Sequence, residues 1–244
     1  MRFKLYIGKL INQIIIKTYN FNFKLLGFIP NGRYLNLDLQ RAGLTIDNIF
    51  DVGANIGQTA LGFAQAFPYS TIFSFEPVLQ TFEILKKNTS KFSKIKTNNI
   101  ALGQYKQVLS IINHEDSEIN SLKRTTSFEN EKSTSIQVLT GQSFCEENNI
   151  RKIDILKIDV EGFEMEVLMG FDELFLKNNV KCIYAEVGFD QNDELKTMFS
   201  DINTYLSKLD FVTSGFYEPY RWGSTKLRLG FCNALFINTN LIQN

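Results

Sequence analysis

The sequence predicts an α/β fold: an open, largely parallel sheet with helices on both faces. Three observations predict it. An apolar run through Ile49 and Phe50 meets Asp51, then the glycine turn Gly53-Ala54-Asn55-Ile56-Gly57, then an amphipathic run to Phe67, which reads as strand, tight turn, helix. A second apolar run, Ile153 to Ile158, reads as a buried strand whose far end is marked by Lys157, Asp159 and Glu161. Charged groups at that end face the crevice in which open α/β sheets bind ligands. Strand-like and helix-like stretches also succeed one another with no repeat, low-complexity linker or second domain.

In chain order, residues 1–37 contain no Asp or Glu and carry an apolar stripe broken by Lys9, Asn12 and Gln13. They are expected to form a basic helical segment packing on a main domain of residues 38–244. Residues 1–30 are the candidate for peripheral membrane contact as a basic amphipathic segment. No run approaches the ~20 apolar residues that span a bilayer, and no signal-peptide pattern is present, so a cytoplasmic protein is expected. Residues 38–46 read as a short helix. After the glycine turn and its helix, Thr71–Phe75 reads as the second strand, ending at Glu76, with Pro77 opening a helix to about Ser90. Ile95 to Leu102 reads as the third strand, 108–113 as an extra one, 115–132 as a loop, and 135–140 as an edge strand. Helices are expected from Phe163 to about Gly170 and on to Lys177, a strand over Cys182–Val187, and a helix over Asp193–Leu209. The last strands are expected over Phe211–Phe216 and Leu229–Ile237, joined by a loop holding Pro219, Arg221 and Trp222.

Composition excludes several classes. The 244 residues suffice for one substantial domain, and 26 basic groups balance 26 acidic ones. A zero net charge gives no drive toward nucleic acid. Cys145, Cys182 and Cys232 are widely spaced and odd in number, which fits reduced, buried thiols better than a disulfide framework. His114 is the only histidine, which excludes a histidine-built zinc site.

The turn's chemistry narrows the ligand. Gly53 can adopt backbone angles closed to other residues, and Gly57 allows a close approach at the helix start. Asn55 stands where a dinucleotide fingerprint would carry its second glycine, the one that admits a pyrophosphate. A ligand with an adenosine and an amino-acid tail but no phosphates fits better, and S-adenosylmethionine is one. Glu76, about 25 residues beyond Asp51, suits the carboxylate that accepts from ribose hydroxyls.

Taken together, Phe50–Gly57, Phe75-Glu76-Pro77, Asn99-Ile100-Ala101-Leu102-Gly103, Leu156–Glu164 and Ala185-Glu186-Val187 resemble the FkbM family of S-adenosylmethionine-dependent methyltransferases. The resemblance covers about residues 47–190, and Lys157-Ile158-Asp159-Val160-Glu161-Gly162 is its most specific piece. It implies a Rossmann-like seven-stranded methyltransferase sheet with an antiparallel last strand, and O-methylation of a hydroxyl on a sugar, glycolipid or polyketide. One departure is visible: Thr140-Gly141-Gln142 stands where the family usually has Thr-Leu-Asp.

The expected cofactor-binding residues are Asp51, Gly53, Asn55, Gly57 and Glu76, with Asn99 and Ala101 near the adenine. An alcohol acceptor must lose a proton, and with one histidine a carboxylate is the available base. Asp159 is the first choice and Glu161 the second. Lys157, Asp159 and Glu161 share a face only while the backbone stays extended. No metal ligand is assigned, although Asp159, Glu161 and Glu186 could gather around a hard divalent cation. The competing readings are a cofactor-holding assembly domain without turnover and a nicotinamide-dependent oxidoreductase, which Asn55 disfavours.

Overall fold

The structure is a computed structural model and describes residues 31–112, 133–193 and 195–241. Its elements run in the order α1 (Leu35–Arg41), β1 (Asn48–Val52), α2 (Gln58–Ala66), β2 (Thr71–Phe75), α3 (Leu79–Thr89), β3 (Ile95–Asn98), β4 (Ala101–Leu102), β5 (Gln107–Ile112), β6 (Ser133–Leu139), α4 (Gly141–Glu147), β7 (Ile153–Ile158), α5 (Glu164–Met169), α6 (Asp172–Leu176), β8 (Val180–Gly188), α7 (Phe199–Ser207), β9 (Phe211–Trp222) and β10 (Arg228–Asn238). Seven strands form one sheet in the order β3-β2-β1-β7-β8-β10-β9. Strands β3, β2, β1, β7 and β8 pair in parallel, and β10 inserts antiparallel between β8 and β9. This is the expected Rossmann-like sheet.

Helices cover both faces of the sheet, so β7 and β8 are buried almost without a break rather than in alternation, and their charged residues, Asp154, Lys157, Lys181 and Glu186, are paired. One face packs Phe50, Phe75, Leu156 and Ile183 against Phe144 of α4, Val167 of α5, Phe175 of α6 and Leu206 of α7. The other packs Ile49, Ile72, Ile155 and Tyr184 against Leu35 and Leu39 of α1 and Phe63 of α2. Helix α1 crosses the expected boundary at residue 38 and is tied to β9, where the Tyr217 hydroxyl donates to Asp38 at 2.8 Å. Residues 1–30, the 115–132 loop and His114 lie outside the described residues. The three cysteines are free and buried, and burial pushes each thiol up to about 12.

Several expected elements are corrected. The third strand ends at Asn98, and β4 leaves the main sheet to pair with β6 in a second, three-stranded sheet. Strand β6 is the middle strand there, because both β4 and β5 pair with it. Pro77 does not open α3; Val78 precedes the first helical residue, Leu79. The helix expected over 193–209 is confined to α7, since Asp190–Asp193 close turns instead. Pro219, Arg221 and Trp222 belong to β9, which continues beyond a bulge.

Candidate active site at the C-terminal strand ends

The site is built where β1, β2, β7 and β8 end. The glycine turn leaves β1 with the Gly53 and Ala54 amides donating to the Phe75 carbonyl at 3.1 and 2.9 Å. Gly53 has φ 76°, and a Cβ there would overlap the Asp159 carbonyl, so only glycine lets β1 and β7 turn out side by side. Gly57, at φ 95°, serves packing instead: its nearest neighbours are Leu85 and Thr89 of α3. Asn55 takes a left-handed conformation, φ 47°, which asparagine tolerates.

Glu76 joins the two loops. Its carboxylate accepts from the Asn55 amide at 3.1 Å and the Val78 amide at 2.9 Å. Burial nevertheless pushes its pKa up to about 7, against the lowering effect of those amides and of Lys157. The Asn99 side-chain amide donates to the Glu76 and Pro77 carbonyls, closing that turn, and Ala101 is buried in β4.

Lys157 holds the centre. Its buried ammonium lies 3.1 Å from Asp51, donates to the Gly53 carbonyl at 3.0 Å and stands 3.7 Å from Asp159. Burial alone would lower its pKa; Asp51 and Asp159 overcome that and the net direction is up. Asp51 is fully buried, and neither of its oxygens has a well-directed hydrogen bond. Its charge is matched by Lys157, and its second oxygen carries no hydrogen bond.

The catalytic candidates come from the β7–α5 turn. Strand alternation stops at Ile158, and Glu161 and Gly162 are both left-handed, φ 52° and 91°. The shared face expected from an extended backbone is therefore lost, yet the turn achieves the same end. Asp159, Glu161 and Glu186 bring one carboxylate oxygen each within 4.8 Å of one another. A hard divalent cation could be held at that spacing. The chain supplies its own cation: Lys196 pairs with Glu161 at 2.6 Å and also with Glu186. Gly188 lets Lys196 arrive, because the Lys196 Cβ lies where a side chain at 188 would begin, and the Gly188 amide donates to Thr197 at 2.8 Å. Burial, then Asp159, raise Glu186 to about 8 despite Lys196. Glu161 is also raised, first by burial. Asp159 remains over a third exposed, open to an acceptor.

Sequence reasoning missed Lys196 and Glu164. Glu164 is fully buried, accepts from the Val160 and Gly162 amides and takes the Thr197 hydroxyl, so it fixes the turn carrying Glu161. Its place just after Gly162 was a usable signal for a turn-capping acid. Lys196 had none, lying 35 residues from Glu161. At the departure Thr140-Gly141-Gln142, the Phe171 ring fills the place of the missing side chain at 141. Gln142 donates to Glu146 along its own helix.

The chain is 29% identical over 173 residues to the hexuronic acid methyltransferase AglP of Haloferax volcanii, a match covering 68% of this chain and 69% of that protein. It is 28% identical over 145 residues to Methyltransferase 1 of Beauveria bassiana, covering 51% of this chain and 58% of that protein. Among solved structures, the N-methyltransferase NodS of Bradyrhizobium japonicum aligns with a TM-score of 0.48 at 9% identity, over 84% of each chain. A family model for the methyltransferase FkbM domain matches residues 51–213, which contain every site residue described above. The chain belongs to the FkbM family of methyltransferases.

Proposed function

We propose that this protein transfers a methyl group from S-adenosylmethionine to a sugar hydroxyl, with Asp159 as the base. The observation that carries the reading is the meeting, at one end of the sheet, of a glycine turn with two buried acids, Asp51 and Glu76, and an open carboxylate, Asp159, joined through Lys157. The donor set fits the cofactor: Glu76 suits ribose hydroxyls, Asp51 keeps unused acceptor capacity, and the side-chain-free Gly53 admits close approach. Asn55 completes the proposed cofactor environment, while Gly57, Asn99 and Ala101 act from behind it, by packing on α3, closing the Glu76 turn and filling the core under β4. When bound, S-adenosylmethionine supplies an electrophilic methyl group on a sulfonium.

The chain's own residues then hold the acceptor in line and take its proton. Asp159 would accept the proton that the acceptor hydroxyl loses to its carboxylate as the oxygen is methylated. Glu161, held by Lys196, orients a neighbouring hydroxyl. Sugars are favoured as acceptors by the clustered carboxylates, which match adjacent hydroxyl donors, and by the similarity to AglP. The test is methyl transfer from labelled cofactor to a panel of glycans, glycolipids and small alcohols, with mass spectrometry of the product. Mass gain on a sugar oxygen is expected. Cofactor binding with no transfer to any member of the panel would favour a cofactor-holding domain instead.

A further inference from the structure

The β9–β10 hairpin carries aromatic rings in a column that runs into the carboxylate group. Tyr220 and Phe231 are opposite in register and stack with centroids 4.8 Å apart and planes 14° apart. The Lys196 ammonium stands 4.8 Å from the Phe231 centroid, and the same ammonium pairs with Glu161 and Glu186. Trp222 meets Tyr220 edge-on at 4.8 Å. Gly230 sets the indole in place, because a side chain there would collide with its five-membered ring. Tyr220 is 39% exposed and Trp222 half-buried, so these rings face solvent rather than either core. The hairpin's cations close its own turn, Lys226 donating to the Arg221 carbonyl and Arg221 to that of Leu227, and the Lys226 ammonium also lies over the Tyr220 ring, 5.1 Å from its centroid.

Flat rings beside carboxylates form the surface chemistry that suits a sugar, whose C–H face packs on an aromatic ring while its hydroxyls donate to acids. We propose that Trp222, braced edge-on by the stacked Tyr220 and Phe231, forms a saccharide subsite for the ring adjoining the one that is methylated, with Lys196 at the junction between the two. The proposal rests on the sugar-hydroxyl reading above and extends it. An acceptor that touches both Asp159 and Trp222 must pass Lys196 and Phe231, so it is an oligosaccharide or glycoconjugate rather than a free monosaccharide.

Trp222 is the chain's only tryptophan, so its emission reports on the subsite without any turnover. The full chain, with S-adenosylhomocysteine present, is titrated with glucose, maltotetraose, cellotetraose and tetragalacturonate. A saturable emission change is expected with a tetrasaccharide, at concentrations about tenfold below those glucose requires. Trp222→Ala, assayed on whichever saccharide is methylated, should raise KM about tenfold while kcat changes less than about twofold, and Trp222→Phe should recover most of the loss. Emission unmoved by every tetrasaccharide, or an unchanged KM for Trp222→Ala on a saccharide acceptor, overturns the subsite and leaves the methyltransferase reading standing. Transfer to small non-sugar alcohols alone overturns the sugar reading and the subsite with it.

Discussion

Glu76 couples the cofactor turn to pH. Its folded pKa of about 7 lies above the ordinary 4.5, so the native state keeps a proton that the unfolded chain releases. Its contribution to stability is fully present below about 4.5 and is lost as pH rises through about 7. The melting temperature of the wild type relative to Glu76→Gln should therefore fall between pH 4.5 and 8, by the equivalent of about 2–3 kcal/mol in all. S-adenosylhomocysteine affinity, read by calorimetry, should strengthen over pH 6–8 in the wild type and stay flat in Glu76→Gln. A flat wild-type profile would remove Glu76 from the ribose. For Asp159→Asn, which keeps shape and removes basicity, turnover should fall by roughly 10²–10⁴-fold with cofactor affinity unchanged; turnover within a few-fold of wild type would show that the base lies elsewhere. Asp159 and Glu76 were legible because an acid at the end of an apolar strand has a place dictated by topology. Lys196 was not, since its role is set by a turn returning across Gly188.

The β1–α2 turn and β7 depend on each other as elements. Gly53 and Gly223 share a φ of 76°, but only at Gly53 would a Cβ meet another backbone. Gly223→Ala should therefore cost about 1–3 kcal/mol, the scale of backbone strain alone, and Gly53→Ala clearly more, measured by urea unfolding. Equal losses would mean that the contact with Asp159 yields freely. Lys157→Met should cost about 3–5 kcal/mol by leaving Asp51 buried without its cation, and adding Asp51→Asn should recover part of that. Simple additivity of the two would show that the pair does not interact. The βα units were readable because buried parallel strands are apolar runs closed by glycine turns. Strand β9 was cut short at Phe216 because Glu218 and Pro219 break its alternation, and only pairing with β10 carries it to Trp222.

At the scale of the whole molecule, the two ends of the sheet are built oppositely. At the closed end, Asp154 accepts from the Asp47 and Asn48 amides at 2.8 and 2.9 Å and from Lys181 at 2.6 Å, so its charge is fully matched. At the other end, the four carboxylates of Asp51, Asp159, Glu161 and Glu186 face the two ammonium groups of Lys157 and Lys196, so among the described residues negative charge is in excess there. Among the described residues no helix is long and apolar enough to cross a membrane. Deleting residues 1–30 separates the two expectations for that segment. Lower melting temperature or insoluble protein marks a packing role; unchanged melting with lost salt-sensitive binding to anionic vesicles marks a surface anchor. Strand β9 forms one border of the sheet, twelve residues long, with Val212, Phe216 and Tyr220 partly exposed. Glu218, at φ 53°, and Pro219 fall outside its register with β10 and divide that border into two short pieces. A neighbouring molecule that tried to add a strand there would meet a kink and a missing donor, so the bulge guards the protein against joining edge to edge with its own copies.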